Sequence, residues 1–124
     1  MPELSGRVIA DYQAAYPHPL TMHVGQELTL GKTDPQWPGW IWCTDANGTS
    51  AWVPQTYVQA HNTRVTALRN YTSKELCVHA GEWLTLYQSE SGWFWATNAE
   101  GESGWVPATH VRTAEVAPNQ KPGL

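Results

Sequence analysis

Apolar and polar positions alternate along this chain in short bursts that recur. "LTMHVGQELTL" (20–30) returns as "LCVHAGEWLTL" (76–86), and the tails "ELTL" and "WLTL" alternate with period two, the mark of a half-buried strand. "WIWCT" (40–44) and "WFWAT" (93–97) are aromatic and rich in strand formers. The parity of these strands assigns Cys43 and Ala96 to the core. Trp40, Trp42, Trp93 and Trp95 then point outward. "DANGTSAWVP" (45–54) and "NAEGESGWVP" (98–107) read as hairpins, with Asn47-Gly48 a strong turn signal and Glu100-Gly101 a weaker one. Pro54 and Pro107 end the strands because proline cannot donate to a ladder, and "QTY" and "ATH" then fit a single 3-10 turn. "RVIA" (7–10) and "RVTA" (64–67) each open a further strand, and no stretch holds a helical period. Five short strands in about 55 residues describe a small barrel, so the fold class is all-β, two small five-stranded β-barrels in tandem.

The chain is therefore a duplication. Aligning Arg7-Val8-x-Ala10 on Arg64-Val65-x-Ala67 gives an offset of 57, which falls to 56 in the middle and 53 at the end. Length differences of this kind belong in loops. The expected organisation is an N-terminal extension (1–6), a first domain (7–60), a short linker "HNT" (61–63), a second domain (64–113) and a flexible tail (114–124). Three linker residues span at most ~10 Å, which holds the two barrels close together.

Composition changes the picture at one point. Eight Trp stand against one Phe in 124 residues. Aliphatic side chains fill a core more simply, and the indole N–H needs a partner, so an excess of Trp points to aromatic surfaces. The net charge of −4 and the lack of a basic run give no footprint for nucleic acid or an anionic membrane. The N-terminus does not read as a secretory signal, and no apolar run reaches the ~20 residues of a spanning helix. Cys43 and Cys77 form no repeated framework, so the expected localisation is cytoplasmic. His23 and His79 precede a turn glycine and read as turn residues. His18 and His23 lack Cys or acidic companions, so neither a metal nor a cofactor is expected. No nucleophile–base pair, carboxylate dyad or phosphate-cradling glycine loop stands out, which argues against an enzyme.

In order and spacing each copy resembles a Src homology 3 (SH3) domain. The second copy carries "ALRNY" (67–71), "ELCV" (75–78), "GEWL" (81–84), "WFW" and "GWVPATHV" (104–111); the first carries "ADYQA" (10–14), "LTM" (20–22), "GQEL" (25–28), "WIW" and "AWVPQTYV" (51–58). The resemblance implies SH3-like barrels that bind extended, proline-rich segments in the polyproline II conformation between aromatic walls. Carried over by position, it implies a first groove of Tyr12, Trp40, Trp52, Pro54 and Tyr57, with Ala14 at the second tyrosine position and Tyr16 close by as a substitute. The second groove consists of Tyr71, Trp93, Trp105 and Pro107, with Arg69 and His110 where the family has tyrosines. The first groove is the more complete of the two. Its loop "QAAYPHP" (13–19) lacks the acidic residues that pair with basic ligands in the family, whereas the second loop has Glu75 beside Lys74.

The function expected is a non-enzymatic protein-binding module for such segments. Two alternatives stay open. One is a structural or scaffold subunit, in which the Trp faces form an inter-barrel or oligomer contact, with self-association. The other is a bacterial SH3-type module that binds cell-wall peptide or glycan. Trp37 and Trp83, each in one copy alone, read as local packing.

Overall fold

A computed structural model describes residues 4–15 and 18–114. Twelve strands form in chain order. They are β1 (Leu4–Val8), β2 (Thr21–Met22), β3 (Glu27–Thr33), β4 (Trp40–Thr44), β5 (Ser50–Pro54), β6 (Val58–His61), β7 (Arg64–Ala67), β8 (Tyr71–Thr72), β9 (Trp83–Glu90), β10 (Trp93–Thr97), β11 (Ser103–Pro107) and β12 (Val111–Ala114). Single 3-10 turns, Gln55–Tyr57 and Ala108–His110, follow the two Val-Pro pairs. The all-β class and the five-stranded sheets follow the sequence expectation.

The sheets do not follow the repeats. One five-stranded sheet has the order β11-β10-β9-β1-β12 and the other β5-β4-β3-β7-β6, and β2 pairs with β8 in a two-stranded sheet. The copies have exchanged their first strands. β1 pairs antiparallel with β9 and β12 of the second repeat. β7, which opens the second repeat, pairs with β3 and β6 of the first. The chain accordingly divides into unit 1, residues 1–14 with 75–124, and unit 2, residues 15–74. Unit 2 is one continuous stretch inserted into a loop of unit 1, and these boundaries replace the expected domains at 7–60 and 64–113.

The segment read as a linker explains the exchange. His61 and Arg64 are ladder partners, so Asn62-Thr63 is the two-residue loop of a β6–β7 hairpin. Asn62 takes φ 60°, a conformation that asparagine tolerates. A connection so short makes consecutive strands antiparallel neighbours. Residues 61–63 thus lie within unit 2. At the other end, the expected N-terminal extension is part of β1 from Leu4 onward. The expected flexible tail lies beyond the described residues from Glu115 onward.

Each unit has its own core. In unit 1, Val8, Leu76, Val78, Leu84, Leu86, Ala96, Val106 and Val111 pack together, with Tyr12 and Phe94 against them. In unit 2, Leu20, Met22, Leu28, Ile41, Cys43, Val53, Val58, Val65 and Ala67 are buried. Cys43 and Ala96 lie in the cores as strand parity requires, each with no exposed surface. Gly6 records how tightly β1 is held. A Cβ there would meet Val111 Cγ1 at 2.6 Å and Leu86 Cδ1 at 2.8 Å.

The turns repeat in chemical detail. Asp45 Oδ1 accepts from the amides of Asn47 and Thr49, and Asn98 Oδ1 accepts from those of Glu100 and Glu102. Gly48 and Gly101 occupy the left-handed positions at φ 87° and 88°. His23 and His79 sit at matching turns, where Gln26 N–H donates to His23 O and Glu82 N–H to His79 O.

Candidate functional site

The strand exchange decides which aromatic residues meet. Tyr12 falls outside unit 2, the unit that holds Trp40, Pro54 and Tyr57. It belongs to unit 1, where its ring lies edge-on to Trp93 at 5.8 Å and to His110 at 5.5 Å. Pro107 faces Trp93 as its ladder partner. In unit 2, Tyr71 meets Tyr57 edge-on at 5.6 Å, and Trp40 is the ladder partner of Pro54. Each aromatic set therefore combines residues of both repeats.

Backbone bonds also correct the register between the copies. Gly81 N–H donates to Val8 O, and Gly25 N–H to Ala67 O. Asp11 Oδ1 accepts from the Ala80 amide, and Asn70 Oδ1 from that of Val24. Val8 therefore matches Ala67 and Tyr12 matches Tyr71, two residues away from the alignment that the Arg-Val-x-Ala repeat suggested. Ala14 is consequently not the counterpart of a groove tyrosine, and Arg69 is the counterpart of Ala10. The Arg69 guanidinium lies 4.2 Å from the centre of the Tyr57 ring, close enough for a cation–π contact. Tyr16 lies outside the described residues. The signal that sequence reading missed was the pair Asp11-Tyr12 and Asn70-Tyr71, an amide acceptor followed by tyrosine in both copies.

The two sets differ in exposure. Trp40 is 5% exposed, Tyr57 3% and Tyr71 8%, and the Pro54 side chain is fully buried. In unit 1, Tyr12, Trp93, Pro107 and His110 are all half-buried, each with part of its surface open to solvent. The more complete set by residue type is the closed one.

Trp52 and Trp105 extend these faces. Trp52 is the ladder partner of Trp42, with rings edge-on at 5.1 Å, and Trp105 is the partner of Trp95, at 5.3 Å. Trp52 is half-buried, whereas Trp105 is buried, and its carbonyl accepts the Leu76 amide at 3.0 Å. The Tyr71 hydroxyl donates to Trp52 O at 2.9 Å. The Tyr12 hydroxyl instead donates to Glu75 Oε1 at 2.8 Å, which places a carboxylate beside the open aromatic set. That carboxylate lies in the loop arm after the insertion, while Tyr12 lies in the arm before it.

Asp34, in the loop before β4, is used in its own turn, where its Oδ1 accepts from the Gln36 amide. Trp37 and Trp83 are 46% and 52% exposed, and the Arg7 guanidinium lies over the Trp83 ring. Among the described residues no helix is long and apolar enough to cross a membrane.

Comparison with known proteins gives one match. Residues 5–60 fit the family model described as a variant SH3 domain. The match covers the first repeat, and the second rests on its likeness to the first and on the five-stranded sheet it helps to build. No curated protein and no solved structure matched.

Proposed function

We propose that the chain is a non-enzymatic binding module for extended, proline-rich protein segments, and that unit 1 is its working half. An SH3-type domain supports a binding role at a general level. The contrast in exposure carries the finer reading. Tyr12, Trp93, Pro107 and His110 stand half-open, while Trp40, Pro54, Tyr57 and Tyr71 are buried. A polyproline II segment is already extended, so little ordering cost offsets what its prolines gain against Tyr12 and Trp93. A Trp buries ~200 Å², roughly 5 kcal/mol gross, so one or two such anchors support a micromolar complex. Glu75 adds a negative charge for a basic residue beside the prolines.

The buried set of unit 2 favours a structural role for that unit. Its aromatic residues stabilise the barrel, and Arg69 covers Tyr57 where a ligand would lie. Cys43 and Cys77 are both free thiols, which accords with a reducing compartment such as the cytoplasm.

The test is an NMR titration of the Trp indole N–H signals with a pool of proline-rich peptides, repeated on Trp93→Ala. The expected result is a shift of Trp93 with Trp40 unmoved, and weakening by about tenfold or more in the variant. Shifts at Trp40 instead of Trp93, or binding unchanged in Trp93→Ala, overturn the assignment.

A further inference from the structure

The outer face of the unit 1 sheet carries an unusual row. Trp83 of β9, Arg7 of β1 and Arg112 of β12 are successive ladder partners across three strands. All three are exposed. The Arg7 guanidinium lies 5.5 Å from the centre of the Trp83 ring. Four residues along β9 from Trp83, Tyr87 is 51% exposed on the same face.

The two arginines lie directly opposite each other, an arrangement that costs stability when like charges are left uncompensated. Among the described residues neither arginine makes an ion pair. The nearby Glu82 is engaged elsewhere, its Oε1 accepting from the His79 amide at 2.7 Å.

Unit 2 is an internal control. The same row there is Glu27, Thr66 and Gln59. Its one acid is neutralised within the unit, with Arg64 Nε 3.2 Å from Glu27 Oε1. Unit 1 has an indole in place of that carboxylate and two guanidiniums in place of neutral residues. The barrel therefore tolerates a self-satisfied row at this position, and unit 1 does not have one.

We infer that the Trp83–Arg7–Arg112 row is a second docking surface, which takes an acidic segment of a protein partner with a carboxylate between the guanidiniums and an apolar neighbour against Trp83 and Tyr87. Guanidinium and carboxylate match in shape as well as in charge. The footprint selects a short acidic segment over a nucleic acid. Arg7 and Arg112 are the basic residues of unit 1 among those described, a patch for one or two carboxylates and not the basic stripe that an extended polyphosphate needs. This surface is independent of the proline-rich reading, because its residues lie outside that set.

The experiment titrates the full chain at low salt with the peptide acetyl-Leu-Glu-Glu-Leu-Glu-amide, following indole and arginine Nε–H signals by NMR. Inorganic phosphate and a thymidine oligonucleotide are run in parallel. Shifts at Trp83, Arg7 and Arg112, with Trp93 unmoved, are expected with the peptide. They should weaken at least about tenfold in the Arg7→Gln, Arg112→Gln double variant and fade as salt is raised. Both substitutions are exposed, and unchanged core signals verify the fold. No shift with the peptide, an equal shift in the double variant, or stronger binding by phosphate or the oligonucleotide overturns the proposal.

Discussion

Tyr12 and Glu75, 63 residues apart in sequence, are joined by a 2.8 Å hydrogen bond within a single barrel. The bond ties together the two arms of unit 1 that flank the insertion of residues 15–74. Replacing Tyr12 by Phe removes the donor and keeps the ring. Because the site is partly solvated, the expected loss is about 1 kcal/mol. Hydrogen exchange should show it in β1, β9 and β12 and leave β3, β4 and β5 unchanged.

Gly6 tests the exchange most directly. It belongs to the first repeat, yet the atoms that a Cβ would strike belong to Leu86 and Val111 of the second. Gly6→Ala should destabilise unit 1 by about 1–3 kcal/mol through overpacking. The indole signals of Trp95 and Trp105 should broaden or move, while those of Trp42 and Trp52 stay. The reverse pattern would mean that β1 pairs within its own repeat.

Residues 15–74 form a contiguous barrel closed by the β6–β7 hairpin. That fragment, expressed alone, should fold as a monomer with dispersed amide signals and cooperative thermal unfolding. A fragment starting at Glu75 lacks β1, the strand between β9 and β12, and is expected to expose that gap and aggregate.

The thiols should separate by reactivity. Cys77 is exposed and Cys43 fully buried. Burial pushes the Cys43 thiol from 9.0 up to about 11. A thiol reagent at neutral pH should label Cys77 rapidly and Cys43 only after unfolding. The pH dependence follows in sign. Above about pH 9 the unfolded chain releases the Cys43 proton while the folded chain keeps it. The Cys43 contribution is therefore present in full below pH 9 and lost as pH rises through 11. Unfolding midpoints of the native chain and of Cys43→Ala, measured from pH 8 to 11, should differ in slope over that window.

Much of the fold was legible in the sequence because its signals are local. Alternation placed Cys43 and Ala96 in the cores, Asn47-Gly48 fixed a hairpin, and Val-Pro ended two strands. The exchange was not legible, because β1 and β7 carry the same local pattern and alternation does not say which copy a strand joins. Only the brevity of 61–63 pointed to it, once read as a turn rather than as a tether. The aromatic residues were identified by type, but their partners were assigned repeat by repeat, so Tyr12 was grouped with Tyr57 instead of His110. Exposure was also out of reach. Trp40 and Trp93 share a motif and differ in exposure.

The β6–β7 hairpin has a consequence for how such a chain can evolve. Each barrel holds a strand encoded in the other copy, so a deletion that removes one repeat also takes a strand from the barrel it leaves behind. The two five-stranded sheets are therefore kept or lost together.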